Sequence, residues 1–459
     1  MLNRKTAVLA AAAVILALCG AAAFAADQVQ EGGTPDQSQS LQTGDQSQQP
    51  AGQTPEGEGQ EETAQEQTET EQEEQPGEDQ EEQTQQPQKE TSPDPEGMIT
   101  FANLAGRIRA NELNILSLDQ NIAALREMDY EEMEDTLREQ LNGLAGIKWI
   151  LINQGQSMAA SSLQQSYEAL RGTFDDLRDG VLQEDNEAMI WQMENAQDQV
   201  VMAGESLYVT ITELEMSRQT AQRSLEALDR TIEEMELRYE LGQISALTLE
   251  QTKAGRVSAQ SALDTLDMNI SNCKSQLELM VGEEPQGTVR LQELPQVTQQ
   301  QVEQLDLEKD LAAAKEISYQ LFAAQRTLDD AKEAYQEAGK TYGYNSGNYN
   351  LKAARYSWQA AQYTYDATVQ SFESGFRTLY LQVKDCWQVL QAAQTALACE
   401  KDSYAADQLK YEQGTLSRNK LLEAKDELSA AQDKVDGAII DLFTAYHNYR
   451  WAADDGILN

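Results

Sequence analysis

Of the side chains most often used for nucleophilic, proton-transfer or metal chemistry near neutral pH, this 459-residue chain has one histidine and four cysteines, and they are scattered. The one histidine, His447, stands in FTAYHNYRW near the C-terminus. A lone imidazole among Tyr446 and Tyr449 reads as an exposed or packed helix residue, neither a metal ligand nor a catalytic base. Cys273, Cys386 and Cys399 show no CxxC and no paired spacing; they read as small core residues, with no disulfide expected. Acidic pairs such as Glu233–Glu234 and Asp454–Asp455 read as solvated charge on helix faces or ends. No nucleophile–base set, phosphate loop or zinc spacing is present. The expectation is a protein that is not an enzyme and has no cofactor and no metal site.

The chemistry that does recur is backbone chemistry. YELGQIS at 239–245 returns as YEQGTLS at 411–417. A glycine after a helical run can take the left-handed conformation that ends a helix without a Cβ penalty, which suits Gly242 and Gly414. Ser245 and Ser417 can then accept from the first free N–H groups of the next helix. A glutamate three residues on would complete a capping box, but Thr248 and Lys420 stand there, so only the simple cap is expected. Tyr239 and Tyr411 fall on the apolar seam, where the ring can pack across and keep its hydroxyl wet. Each phrase therefore reads as a tight bend between two helices.

The elements that position these bends follow from periodicity. Leu207, Ile211, Leu214, Arg218, Ala221, Leu225, Leu228, Ile232, Met235 and Tyr239 keep a 4,3,4,3 spacing, the mark of a coiled-coil seam. After the second phrase, Leu421, Ala424, Leu428, Ala431, Val435, Ala438, Leu442, Ala445, Tyr449 and Ala452 alternate large and small. An offset of 172 residues lays Ala431, Val435, Ala438, Leu442, Ala445 and Tyr449 on Ala259, Leu263, Leu266, Ile270, Cys273 and Leu277. The same offset carries Leu207, Ile211, Leu214, Ala221 and Leu225 onto Leu379, Val383, Cys386, Ala393 and Leu397. The repeat is a pair of long helices with the quoted phrase at its bend. Stretches 99–128 and 307–335 carry further seams that open the two halves. They run through Leu104, Ile108, Asn111, Ile115, Leu118, Ile122 and Leu125, and through Ala314, Ile317, Leu321, Ala324, Leu328 and Ala331. The predicted fold is all-α, with long antiparallel coiled-coil helical hairpins in two tandem repeats. The halves span 98–284 and 303–459, joined by a connector at 285–302 marked by Pro285 and Pro295.

The N-terminal part cannot belong to such a core. Residues 1–25 hold two early positive charges, an apolar run and an Ala23-x-Ala25 ending, which read as a secretory signal; the run is also long enough to stay as a membrane anchor. Residues 26–97 carry 20 acids and one base, Lys89, with almost nothing apolar. They read as a disordered Gln/Glu-rich linker. The formal net charge of −44 argues against nucleic acid as a partner. The expected place is exported, in the cell envelope.

With RYELGQIS at 238–245, KYEQGTLS at 410–417, the following LLEAKDELSAAQDKV and both opening seams in place, the chain resembles the outer-membrane efflux family of the TolC type. The resemblance covers most of 98–455. It implies a homotrimer whose helices close into a hollow α-barrel. Its hairpin tips would face a membrane-fusion adaptor that links to an inner-membrane transporter. Carried over by position, the adaptor contacts are Arg238, Tyr239, Gly242, Ser245, Lys410, Tyr411, Gly414 and Ser417. The acidic residues that narrow the pore in that family correspond to Lys420 and Glu423, of which only one is acidic. The family also inserts β-strand pairs in the middle of each half. Here the first middle (129–190) has one apolar stretch, GIKWILI, in otherwise helical composition, and the second (336–375) a Tyr/Gly/Asn turn too short for two strands. The resemblance is therefore to a member without the membrane strands.

Two functions fit these features. One is an efflux or export component, an α-helical conduit or spacer docking an adaptor through both tips. The other is an extracellular coiled-coil scaffold or regulator of cell-wall enzymes, in which the tips are plain turns. The in-register duplication favours the first.

Overall fold

The computed structural model describes residues 94–95, 97–344 and 347–458. The expected signal or anchor at 1–25, and the acidic linker except for Asp94, Pro95 and Gly97, lie outside the described residues.

Each half is built on one very long helix, stabilised chiefly by an amphipathic face pressed on a partner. In the first half that helix is α5 (Val181–Glu240, 60 residues), which turns into α6 (Ala246–Met280). In the second it is α10 (Tyr349–Glu412, 64 residues), which turns into α11 (Arg418–Asp454). At 1.5 Å per residue the two long helices run roughly 90 Å and 96 Å. The all-α fold of tandem long antiparallel hairpins expected from the sequence is the fold observed. The seam positions behave as their spacing requires: Ile211, Leu225, Ile232, Leu263, Ile270 and Leu277 are buried in one hairpin. In the other, Leu379, Val383, Leu397, Val435, Ala438, Leu442, Ala445 and Tyr449 are buried.

The opening segments depart from the expected single helices. The first is α1 (Phe101–Asn111) and α2 (Leu113–Arg126), broken at Glu112; the second is α8 (Leu307–Ile317) and α9 (Tyr319–Tyr342), broken at Ser318. Both break residues have extended backbone, φ −70°, ψ 123° and φ −75°, ψ 113°. Asn111 and Ile317 carry the seam into the break, but Asn111 is exposed and Ile317 is 38% exposed. The break lets each segment change direction while Ile108 and Ile115, or Ala314 and Leu321, stay in the core.

A glycine just past the last helix of each half sits against each break. The Cβ that Gly282 (φ 80°) lacks would fall 2.6 Å from Asn111 Cβ, and that of Gly456 (φ 65°) 2.7 Å from Ser318 Cα. The breaks are thus part of the repeat: each half closes its C-terminal end onto the elbow of its own opening segment.

The halves differ in the middle. In the first, α3 (Tyr130–Asn153) and α4 (Ser157–Arg178) form an extra helical hairpin around Gly155 (φ 72°). In the second, α10 follows α9 with no helix between them among the described residues. Both middles are helical, as their composition suggests. Among the described residues no helix is long and apolar enough to cross a membrane.

The connector is not a loose link. Arg290–Leu291 (β2) pairs in parallel with Met98–Ile99 (β1), Met98 opposite Arg290 and Ile99 opposite Leu291. The fully buried Tyr208 holds this pair from α5, its hydroxyl donating to the Gln292 carbonyl at 2.5 Å, with the Ile99 carbonyl 3.2 Å away. A five-residue helix, α7 (Gln299–Glu303), follows, with a capping box between Thr298 and Gln301. The connector's main anchor is Glu278, 2% exposed at the end of α6. Its carboxylate accepts from the backbone N–H groups of Gln286 (2.5 Å), Gly287 (2.6 Å), Thr288 (2.9 Å) and Val289 (2.9 Å). Burial pushes this carboxyl's pKa up, but the four backbone bonds outweigh burial and hold it below the ordinary value.

Two core clusters result. One lies between α10 and α11 and takes in α7, α8 and α9. The other is built on α1, α5, α6 and the connector, and also contains Ile440, Phe443, Trp451 and Ile457 from the second half. On this shared face Glu205, 5% exposed, accepts from Trp451 Nε1 at 2.8 Å and lies 2.8 Å from His447 Nε2. His447 stacks on Phe443 and meets Phe101 edge-on. The lone histidine is therefore a packed helix residue between the halves. Of the three described cysteines, all free, Cys273 and Cys386 are half-buried, while Cys399 is exposed, contrary to the core role expected for it.

Charge is distributed unequally along the hairpins. Between α5 and α6 stand Glu215–Lys274, Arg218–Asp267, Asp229–Arg256 and Glu236–Lys253. Between α10 and α11 no ion pair is present among the described residues. Arg218, the polar member of the first seam, is thereby satisfied by Asp267.

Two predictions follow from the packing. Leu442→Ala, at a position 1% exposed, should lower unfolding free energy by about 2–5 kcal/mol in urea titration, whereas Leu409→Ala, 58% exposed, should change it by less than about 0.5 kcal/mol. Because the Glu278 carboxyl has a lowered pKa in the fold, its stabilisation is present above the ordinary value of 4.5 and is lost as pH falls below it. Glu278→Gln should cost roughly 1–3 kcal/mol at pH 7 and flatten the acid limb of the stability curve.

Candidate functional site

The two repeated phrases form two hairpin ends with the same hydrogen bonds. At the first, Gly242 has φ 73°, its N–H donates to the Tyr239 carbonyl (2.9 Å), and the Gln243 N–H donates to the Arg238 carbonyl (2.8 Å). At the second, Gly414 has φ 74°, its N–H reaches the Tyr411 carbonyl (2.9 Å), and Thr415 N–H reaches the Lys410 carbonyl (2.9 Å). This pair of bonds is the Schellman ending, which satisfies the last free carbonyls of a helix. Ser245 Oγ then accepts from Thr248 N–H at 3.2 Å, and Ser417 Oγ from Lys420 N–H at 3.3 Å. Each serine is the simple N-cap expected, without a capping box.

The glycines are required by their backbone angle alone. A Cβ at either position would meet nothing within 4 Å. Space around both tips is open, so nothing inside this chain needs the small residue there.

The tips lie side by side. Arg230 pairs with Asp426 and Arg223 with Asp433, seven residues apart on each helix, as α5 and α11 run antiparallel. Nearest the end, Asn419 Nδ2 donates to Glu234 Oε2 at 3.1 Å, and Glu234 is also held by Arg238 on its own helix. The structure thus brings the predicted residues of both phrases to one end of the molecule. Arg238 is committed to Glu234, and Lys410 to Asp407 at 2.6 Å. The pore candidates pair with each other: Lys420 Nζ lies 2.5 Å from Glu423 Oε2. Hydrogen bonding to Glu423 raises the Lys420 pKa, and the pair carries no net charge.

The tyrosines depart from the seam-packing expectation. Tyr239 is 45% exposed and Tyr411 40% exposed, because each lies in the last turn of its helix, where the facing helix has not yet begun to cover it. Leu241 (64%) and Leu247 (68%) of the first tip are also exposed, and sequence reading did not single them out. The 172-residue offset places Gln413 and Asn419 at the matching points of the second tip. The two ends share one backbone and exposed Leu237/Tyr239 and Leu409/Tyr411 pairs, but at these two points the first presents leucines and the second amides. Comparing aligned repeats for differences, not identities, would have found this.

No family model matches the chain, and no curated protein matches it. Solved structures similar to it include CusC, 13% identical over 78% of this chain and 95% of that one, with a TM-score of 0.43. The outer-membrane channel OprN is 15% identical over 62% and 73% of the two chains, with a TM-score of 0.41. The outer membrane protein VceC from Vibrio cholerae is 16% identical over 57% and 72%, with a TM-score of 0.35.

Since only backbone strain opposes a side chain at the tips, Gly242→Ala and Gly414→Ala should each cost about 1 kcal/mol. Ser245→Ala should cost about the same through loss of the cap. Thermal unfolding of each variant would measure this; a loss several times larger would mean the tips are packed against something within the chain.

Proposed function

We propose that this protein is an exported efflux or export component of the TolC type, a helical conduit or spacer of the cell envelope that docks a membrane-fusion adaptor through its two tips. The observation that carries the reading is the pair of adjacent hairpin ends with identical caps, open surroundings and exposed tyrosines. An extracellular scaffold needs no second copy of a bend at matching register, and a solvated bend needs no large apolar side chains around it. Exposed leucines and tyrosines at a protruding end fit a partner that covers them. The adaptor would meet Tyr239, Gly242 and Ser245 beside Leu241 and Leu247 at one end. At the other it would meet Lys410, Tyr411, Gly414 and Ser417 beside Gln413 and Asn419, with Arg238 ordering the surface between the ends through Glu234.

As part of the same proposal, the chain acts as a homotrimer with an inner-membrane transporter at the far side of the adaptor. Lys420 and Glu423 line the passage near the tips as a neutral pair and do not form an acidic ring. No catalysis and no cofactor are part of the proposal. The two halves 98–284 and 303–459 serve as its repeats, after a signal at 1–25 and an acidic linker at 26–97.

Light scattering on the purified chain should give the mass of a trimer. Tyr239→Ala with Leu241→Ser should abolish recovery of an adaptor by in-cell crosslinking from the tips, while leaving mass and helicity unchanged. A monomer whose crosslinked partners do not depend on either tip would favour the extracellular scaffold.

A further inference from the structure

The α3–α4 hairpin carries an apolar band, just behind its exposed polar turn Asn153–Gln154–Gly155–Gln156–Ser157, that the tips do not use. Ile147 (51%), Trp149 (67%), Ile150 (49%) and Ile152 (56%) are exposed in the last turns of α3, and Met158 (87%) in the first turn of α4. The hairpin is anchored at its other end, where Asn186 of α5 donates to the Tyr130 hydroxyl at 2.9 Å and Gln183 to the Leu177 carbonyl at 3.2 Å. With α3 at 24 residues, the apolar band lies roughly 30 Å or more from that anchor.

Two features decide what such a band can meet. First, at 100° per residue, positions 147, 149, 150 and 152 point in four directions around the helix, while Leu141 and Leu144 face α4. A protein groove covers one stripe of a helix; a helix end apolar on all sides suits a surrounding apolar phase. Second, charge is withdrawn from this stretch. Between Glu139 and Glu168 there is no acid and a single base, Lys148, in a chain with 78 acids. Lys148 is turned inward, bonded to Gln164 and lying 5.9 Å from the centre of the Tyr167 ring. Charged side chains resume behind it, with Arg138 paired to Glu134 and Asp135, and Arg171 to Asp175. The stretch from Ile147 to Asn153, whose one charge is the inward-turned Lys148, is about 10 Å long, the depth of the headgroup–acyl boundary and far short of a bilayer. A tryptophan in that band is at its preferred level.

We propose that the α3–α4 tip inserts into the interface of a lipid membrane without crossing it, driven by apolar burial and not by charge. Because the chain as a whole is strongly acidic, the lipid surface it suits is zwitterionic.

The test uses the full chain with phosphatidylcholine vesicles. The apolar run Thr6–Ala26 can itself bind lipid, so the deciding readout is local to Trp149. Bromine placed on the upper acyl carbons should quench tryptophan emission in the parent chain, and Trp149→Phe should remove that quenching while the chain still floats with the vesicles. The double change Ile147→Ser, Ile150→Ser, which keeps Trp149, should cut the bromine quenching of Trp149 about tenfold or more with helicity unchanged, since these side chains are exposed. Replacing phosphatidylcholine with phosphatidylglycerol should weaken binding. Three results would overturn the proposal. One is bromine quenching that is the same in Trp149→Phe. Another is binding that requires phosphatidylglycerol. The third is concentration-dependent self-association without lipid that the double change abolishes, which would assign the surface to a second copy.

Discussion

Helix α11 has to satisfy two partners at once, and the arrangement of the chain depends on it. One face presents Val435, Ala438, Leu442, Ala445 and Tyr449 to α10; another presents Ile440, Phe443 and Trp451 to the core of the first half. The alternation of alanine with large residues along the first face lets α10 come close. The second face is fixed by Glu205, whose buried carboxylate would be costly without the Trp451 N–H. Because the same helix serves both cores, the two hairpins cannot slide along one another without breaking one of them. The tips are level for that reason, and the Arg223–Asp433 and Arg230–Asp426 pairs keep the same register toward the end.

The duplication extends to less obvious parts. The elbows at Glu112 and Ser318, and the left-handed Gly282 and Gly456 that seat against them, recur although the residues around them share little. Glu112 caps Ile115 with its carboxylate at 2.8 Å; Ser318 leaves its hydroxyl buried without a partner. What the repeat preserves is backbone direction, enforced at a place where a Cβ on the glycine has no room. Where the halves diverge, between α2 and α5, there is no such contact, and an entire hairpin has been accommodated there.

Much of this was legible in the sequence. A seam repeating in 4,3 steps over 33 residues has one helical solution, and a glycine and serine three apart at its end specify how the helix stops and the next begins. Those inferences concern neighbours in the chain, where geometry is short-ranged. The elbows were not legible, because Asn111 and Ile317 extend the seam numerically while the backbone leaves the helix beside them. The parallel pairing of Met98–Ile99 with Arg290–Leu291 was also hidden. Two residues carry no periodicity, and their partners lie 192 positions away. Glu278 looked like one acid among many. Its role depends on four N–H groups of a loop whose path only the folded chain defines. The exposure of Tyr239 and Tyr411 escaped because a seam predicts a facing residue, and at the end of a hairpin there is none.

Both hairpins are held by an apolar seam, but among the described residues only the first adds ion pairs across it. The first is crossed by four ion pairs between α5 and α6, with Asp229–Arg256 and Glu236–Lys253 toward its tip; the second relies on apolar contacts between α10 and α11. Exposed pairs weaken as dissolved salt shortens the reach of charge, from roughly 10 Å at 0.1 M to 3 Å at 1 M, whereas apolar burial does not. The outer end of the first hairpin is therefore more sensitive to ionic strength than the end beside it. In a compartment whose ion content follows the surroundings, the first tip would gain freedom in brine and stiffen in dilute medium while its neighbour changed less.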